Sequence, residues 1–212
     1  MKRFLSLLLA LFTLLAFAGC TAPGPSGTTP TGTAAPGTTV PGTAVPDSTA
    51  PDGAHRRVLI VFFSCTGNTR TAALSLQDKT GADLYELVPA VPYTAADLNY
   101  HNDACRANTE MQDPAARPAL AQEGPDLALY DIILLGYPLW WGTMPRIVNT
   151  FLDTHDLTGK TVLPFCTSGG SGISRSVQDL RQAVPGADIR DGLRIAAPQD
   201  SAIDAWLREA GL

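Results

Sequence analysis

Cysteine, histidine and charge are all scarce in this chain. Its 212 residues include four cysteines and three histidines, and only 17% are Asp, Glu, Lys or Arg. No C-x-x-C pair and no Cys/His ligand spacing occurs, which excludes a Cys-based metal or dithiol centre. Basic clusters are missing as well, and the formal net charge is −5, so nucleic acid is excluded as a partner. The turn that follows the first apolar run, Ser64–Thr69, carries no Gly-Lys-Ser/Thr and lacks three spaced glycines. Those two absences remove the P-loop and the dinucleotide fingerprint. Ser171 lacks a Gly-x-Ser-x-Gly frame, and His55, His101 and His155 stand apart as expected surface residues, which makes hydrolase chemistry a poor reading.

What is present begins with Lys2 and Arg3, an apolar run from Phe4 to Phe17, and Ala18-Gly19-Cys20. The run is short for a membrane span and has the charge and small-residue flanks of a secretory signal. Phe17-Ala18-Gly19-Cys20 resembles the lipobox of bacterial lipoproteins, with Phe17 where Leu is usual. That resemblance implies a signal peptide over 1–19 and a lipid on Cys20, holding the chain on the outer face of the bacterial cytoplasmic membrane. Cleavage removes Lys2 and Arg3 and takes the charge from −5 to −7. Residues 20–54 are mostly Thr, Pro, Gly and Ala, with Asp47 and Asp52 as the only charges. Such a segment cannot bury enough apolar surface to offset chain entropy, and reads as a disordered spacer. Residues 55–212 suit one domain with a substantial core. They carry Cys65, Cys105 and Cys166, an odd number. Cys65 and Cys166 read as small buried residues, and a disulfide through Cys105 stays open.

The domain opens on Val58-Leu59-Ile60-Val61-Phe62-Phe63, an unbroken apolar run that predicts a strand buried on both faces of a parallel sheet. It turns abruptly into Ser64-Cys65-Thr66-Gly67-Asn68-Thr69, and a helix is expected from Asn68 or Thr69 to about Lys79, ending at Gly81. The first N–H groups of a helix have no internal partner and carry partial positive charge, so strand, hydroxylated turn and helix start suit a phosphate. A second strand is expected over 82–88, stopped by Pro89 and Pro92. From there to about Pro125 no period is sustained; Tyr93, Tyr100 and His101 either pack over a neighbouring cleft or anchor a solvated cover. A helical turn over 127–130 leads to the apolar strand Ile132–Gly136 and then to Tyr137-Pro138-Leu139-Trp140-Trp141-Gly142-Thr143. Two adjacent tryptophans cannot both point inward, so at least one is expected on the crest, where exposed aromatic area meets a ligand or partner. Pro145 opens a helix whose Ile147, Val148, Phe151 and Leu152 share a face.

A fourth strand over 160–167, interrupted by Pro164, runs into Ser168-Gly169-Gly170-Ser171-Gly172. An amphipathic helix follows on Ile173, Val177, Leu180 and Val184. A weak last strand broken at Asp191-Gly192, and a terminal helix with Ile203, Trp206, Leu207 and Ala210 inward, complete the pattern. Alternating strands and helices predict an α/β fold with a parallel sheet, and in a doubly wound five-stranded sheet of order 2-1-3-4-5 the first two unusual loops flank the switch point. Ligands of such sheets bind at the carboxyl ends of the strands, where all three unusual loops lie. Together those loops offer donors for a phosphate, an aromatic face for a planar ring, and bare glycine backbone.

These residues resemble the flavodoxin family, over about 56–210. Ser64-Cys65-Thr66-Gly67-Asn68-Thr69 is similar to its FMN phosphate loop. Gly136–Gly142 and Thr167–Gly172 resemble the two loops beside the isoalloxazine in a flavodoxin-like subgroup found as bacterial lipoproteins. The resemblance implies FMN as cofactor, with its phosphate held by Ser64, Cys65, Thr66, Gly67, Asn68 and Thr69. It places Pro138, Leu139, Trp140, Trp141 and Gly142 on one side of the ring, and Thr167, Ser168, Gly169, Gly170, Ser171 and Gly172 on the other. The chain departs from electron-shuttle flavodoxins in two respects: its third loop has no aromatic, and Arg70, Arg146 and Arg175 adjoin loops that are usually ringed by acid. The implied function is a redox domain passing electrons to an unidentified partner or small-molecule acceptor. Alternatives are an FMN-dependent quinone or NAD(P)H reductase, and a binding lipoprotein with no redox role.

Overall fold

The computed structural model describes residues 56–197 and 201–212. The expected signal peptide, Cys20 with its expected lipid, the expected 20–54 spacer and His55 lie outside the described residues. Five strand positions run parallel: β1 (Val58–Phe62), β2 (Asp83–Glu86), β3 (Ile132–Pro138), β4 (Thr161–Thr167), and a fifth shared by β5 (Asp188–Ile189) and β6 (Leu193–Arg194). Their order is β2-β1-β3-β4-β5, with β6 also pairing β4. The register sets Leu84, Ile60, Leu134 and Leu163 in one row across the sheet.

Side chains of a strand alternate between faces, and here that alternation divides the core in two. Leu59, Val61, Ile133, Leu135, Tyr137, Val162 and Cys166 face one side, where they meet α3 (Arg146–Thr154) and α4 (Ser174–Ala183) through Val148, Phe151, Val177 and Leu180. Ile60, Phe62, Ile132, Leu134, Leu163 and Phe165 face the other, covered by α1 (Asn68–Thr80) and α5 (Ser201–Glu209) through Ala72, Ala73, Leu76, Ile203, Trp206 and Leu207. β1 and β3 are buried on both faces. Each such Ile, Val or Leu stabilises the fold by about 1.5–3 kcal/mol, which is why these strands are unbroken apolar runs.

The sequence expectations need three corrections. Pro164 does not interrupt β4, which pairs with β3 from Thr161 to Thr167. Val162 and Cys166 carbonyls accept from Arg190 and Ile195, so alternate residues of β4 point their backbone groups toward the fifth position. Pro164 shares that parity, and its missing N–H faces the gap between β5 and β6. The fifth strand is correspondingly in two pieces, divided around Asp191-Gly192 as expected. The 89–125 segment contains a helix, α2 (Arg106–Gln112), N-capped by Cys105 Sγ, which accepts from Asn108 N at 3.4 Å. Seven residues with few apolar positions leave no periodic signal. Finally, Cys65, Cys105 and Cys166 are all free thiols, and Cys65 is half-buried rather than buried.

Candidate functional site

The three loops leave the carboxyl ends of β1, β3 and β4 side by side. Thr69, buried at the first turn of α1, shares a 2.8 Å hydrogen bond between its hydroxyl and that of Thr167. Leu139 N donates to Thr167 O at 3.0 Å, and Ser168 Oγ donates to Ser171 O. These contacts fix the first and second loops to the third.

Gly67 precedes α1 with φ +88°, and no side chain caps the helix. Its N–H donates instead to Ser64 Oγ at 3.2 Å, so Ser64 shapes the loop. The positive φ is a conformation that L-residues adopt at a cost, which explains a glycine here. Thr66 and Asn68 stand exposed on either side of it. The N–H groups that open α1 have no side-chain cap and lie in sequence beside two exposed polar residues, at the partially positive end of the helix.

In the second loop, Trp140 and Thr143 exchange backbone hydrogen bonds at 3.0 and 3.1 Å. The two residues between them, Trp141 and Gly142, have φ +53° and +80°, the signs of a type I′ turn. Trp141 is the one non-glycine residue with positive φ among the described residues. A strained tryptophan persists only where its surroundings hold it, and the hold is visible: Thr143 Oγ1 donates to Asp179 Oδ2 on α4. The turn separates the paired indoles as expected. Trp140 packs inward, edge-on to Phe63 at 5.7 Å and to Tyr93 at 5.4 Å. Trp141 stays 58% exposed on the crest.

Between these loops lies a cavity of about 690 Å³, within the usual range for small-molecule sites. Of the residues singled out in the sequence, Cys65, Thr66, Asn68, Thr69, Pro138, Leu139, Trp140, Trp141, Thr167, Ser168 and Gly169 line it. Ser64, Gly67, Gly142, Gly170, Ser171 and Gly172 do not; they shape the turns beside it. Sequence reasoning missed Thr71 and Ala72 on α1, Leu98, Ala107 and Asn108 of the 89–125 segment, and Ile195, Ala196 and Ala197 after β6. Tyr100, left open between cleft and cover, lines the cavity while 64% exposed. The Ile-Ala-Ala run following the last strand was the one available signal.

The 89–125 segment is held down by a compact network. Tyr93 donates its hydroxyl to Glu110 Oε2, and Arg106 lies over the Tyr93 ring at 3.9 Å while pairing with Glu110 Oε1 at 2.6 Å. Burial, then the hydrogen bond to Glu110, pushes the Tyr93 hydroxyl far up. Burial likewise pushes the Cys65 thiol up to about 12, against the pull of the Arg106 charge. Cys65 is therefore a neutral wall and not a thiolate nucleophile. Arg70 pairs with Glu86, and Arg146 donates to the Glu110 and Met111 carbonyls. Neither they nor Arg175 lines the cavity, and none of its described lining residues is charged. Among the described residues no cluster of His, Cys, Asp or Glu could hold a metal.

Strand order, loop placement and cavity together define a doubly wound α/β protein whose cavity opens at the switch point between β1 and β3. The flavodoxin family profile matches residues 57–210, and the chain belongs to that family. It is similar to a candidate flavoprotein of Bacteroides eggerthii, with 42% identity and a TM-score of 0.72 over 74% of this chain and 99% of that one. A second, from Bacteroides uniformis, gives 40% identity and a TM-score of 0.70 over 72% and 98%. A flavoprotein of Lactobacillus acidophilus, solved in complex with FMN, shares the fold at 24% identity and a TM-score of 0.59 over 72% and 99%.

Proposed function

We propose that the chain is an FMN-binding redox protein that accepts and passes electrons, displayed outside the cytoplasmic membrane on a lipid carried by Cys20. The observation that carries this reading is the uncapped start of α1, set between exposed Thr66 and Asn68 and opening on the same cavity as exposed Trp141. Family membership supports FMN as the ligand.

The residues present fit that group. A phosphate meets the α1 N–H groups with Thr66, Asn68 and the remaining capacity of the Thr69 hydroxyl, which has one donor and two lone pairs. The Trp141 indole offers a face to a flat ring, and Leu139 and Pro138 continue that wall. Thr167, Ser168 and Gly169 line the opposite margin, where little side chain stands in the way. FMN supplies the electron chemistry when bound; the protein supplies binding, orientation and a neutral surround.

The test is the visible absorption spectrum of the purified 54–212 fragment, with FMN added if the protein is colourless. A yellow protein that retains FMN on gel filtration is the expected result. A colourless protein that takes up no added FMN overturns the redox reading and leaves a binding lipoprotein in its place.

A further inference from the structure

The second and third loops and the strand end beside them, residues 136–146, 167–175 and 193–197, contain three arginines and no Asp or Glu. The chain as a whole carries a formal charge of −5, so these stretches are opposite in sign to the rest. Arg146 is engaged, donating to the Glu110 and Met111 carbonyls. Arg175, exposed on the first turn of α4, makes no hydrogen bond or ion pair among the described residues. Its Cδ and Nη1 each lie 3.9 Å from where a Cβ on Gly142 would stand, so the side chain rests against the turn that carries Trp141. Arg194, half-buried at the end of β6, donates from Nη1 to Ser168 O at 3.4 Å and pairs with no carboxylate. Asp179, one turn along α4 from Arg175, accepts from Thr143 Oγ1 instead. By contrast, Arg70 and Arg106 are matched by Glu86 and Glu110.

Ser168 and Trp141 both line the cavity, whereas the two arginines beside them do not. What the guanidinium groups meet therefore extends beyond the cavity, to a protein surface rather than a second small ligand. Trp141 supports that choice, since it is 58% exposed beside Arg175. Trp and Arg are the side chains most enriched where proteins bind one another, in a flat aromatic contact flanked by charge.

We propose that Trp141, Arg175 and Arg194 form a docking face for a redox protein that presents carboxylates. Arg175 and Arg194 pair with those carboxylates, whose geometry a guanidinium matches, and the exposed indole supplies the apolar contact. A partner with a basic face is repelled by the same two charges. The partner's redox role rests on the redox reading above; the sign of the face does not.

The test reads Trp141 fluorescence in the FMN-free 54–212 protein, a span that the Bacteroides eggerthii relative matches over 99% of its own length. Trp141→Phe identifies the signal. Oligoglutamate, standing in for an acidic protein surface, is titrated at low ionic strength beside glutarate, a small dianion. The expected result is a saturable change with oligoglutamate that salt abolishes. It weakens about fivefold in Arg175→Gln/Arg194→Gln, and glutarate at matched carboxylate concentration does not saturate. Iodide quenching of the indole should fall about twofold in the double variant and caesium quenching should rise, with neutral acrylamide unchanged. No response to oligoglutamate, an equal response in the double variant, or unchanged iodide quenching overturns the proposal. Glutarate binding as tightly as oligoglutamate also overturns it, by assigning the arginines to a small anion. If acrylamide quenching changes as well, the turn has shifted, and exposed Arg175→Gln alone decides by the same criteria. Failure to bind FMN removes the redox reading alone, because every readout is taken on FMN-free protein.

Discussion

Trp141 shows most directly how a single residue is held against its own backbone preference. Its φ of +53° is a conformation glycine would adopt freely. Trp141→Gly is therefore expected to raise stability by about 1 kcal/mol through relief of backbone strain, read as a higher Tm, while weakening FMN binding. A lower Tm would show that the indole stabilises the fold more than its backbone strains it. Thr66→Ala and Asn68→Ala each remove a polar group from the exposed start of α1, and each should weaken FMN binding about fivefold to tenfold, measured by fluorescence titration. Unaltered affinity in both would remove the phosphate from this loop. Cys65 invites a pH test. Its thiol is raised from 9.0 to about 12 by burial, so at pH 8 its thiolate fraction is on the order of a thousandfold below that of a free cysteine. Iodoacetamide should label it correspondingly slowly in the folded protein and rapidly after denaturation.

Among the elements, β3 and β4 show how tightly the site's scaffold is packed. Gly136 pairs with Phe165 across them, and a Cβ on Gly136 would sit 2.1 Å from Phe165 Cζ. Gly136→Ala should thus destabilise by about 1–3 kcal/mol through overpacking, seen as a lower midpoint in urea. Phe165→Leu in the same chain should recover part of the loss, because the ring atom in conflict is gone. The same glycine precedes Tyr137, whose hydroxyl accepts from Ser176 within the core. From there β3 passes into the Trp141 turn, whose Thr143 is tied to Asp179. Helix α4 therefore holds the second loop at two points, and the turn's geometry depends on a helix far along the chain.

For the whole molecule, the proposal that matters is tethering. If Cys20 carries lipid, the full-length wild-type chain should partition into detergent with the membrane fraction, and Cys20→Ser should move it to the soluble fraction. Equal partitioning of the two would remove the lipid anchor. The described domain supplies no alternative anchor of the helical kind, since none of its helices is long and apolar enough to cross a membrane.

Local pattern determined the alternation of strands with helices α1, α3, α4 and α5 and the loops that follow β1, β3 and β4, while the strand order came with the family resemblance. The reason is local: fully apolar strands, a Gly67 turn and a Pro145 helix start signal themselves within a few residues. The separation of Trp140 from Trp141 was likewise legible, because adjacent side chains at a strand exit cannot share one direction. Other features were settled only by tertiary contact. Helix α2 forms because Arg106 and Glu110 close on Tyr93, a partner more than ten residues away in the chain. Pro164 is tolerated in β4 because the gap between β5 and β6 faces it, which no window around Pro164 reveals. Asn108 joins the cavity wall through the fold of the segment joining β2 to β3. A strand or a turn is written in neighbouring residues; a cavity wall exists only once distant ones have been brought together.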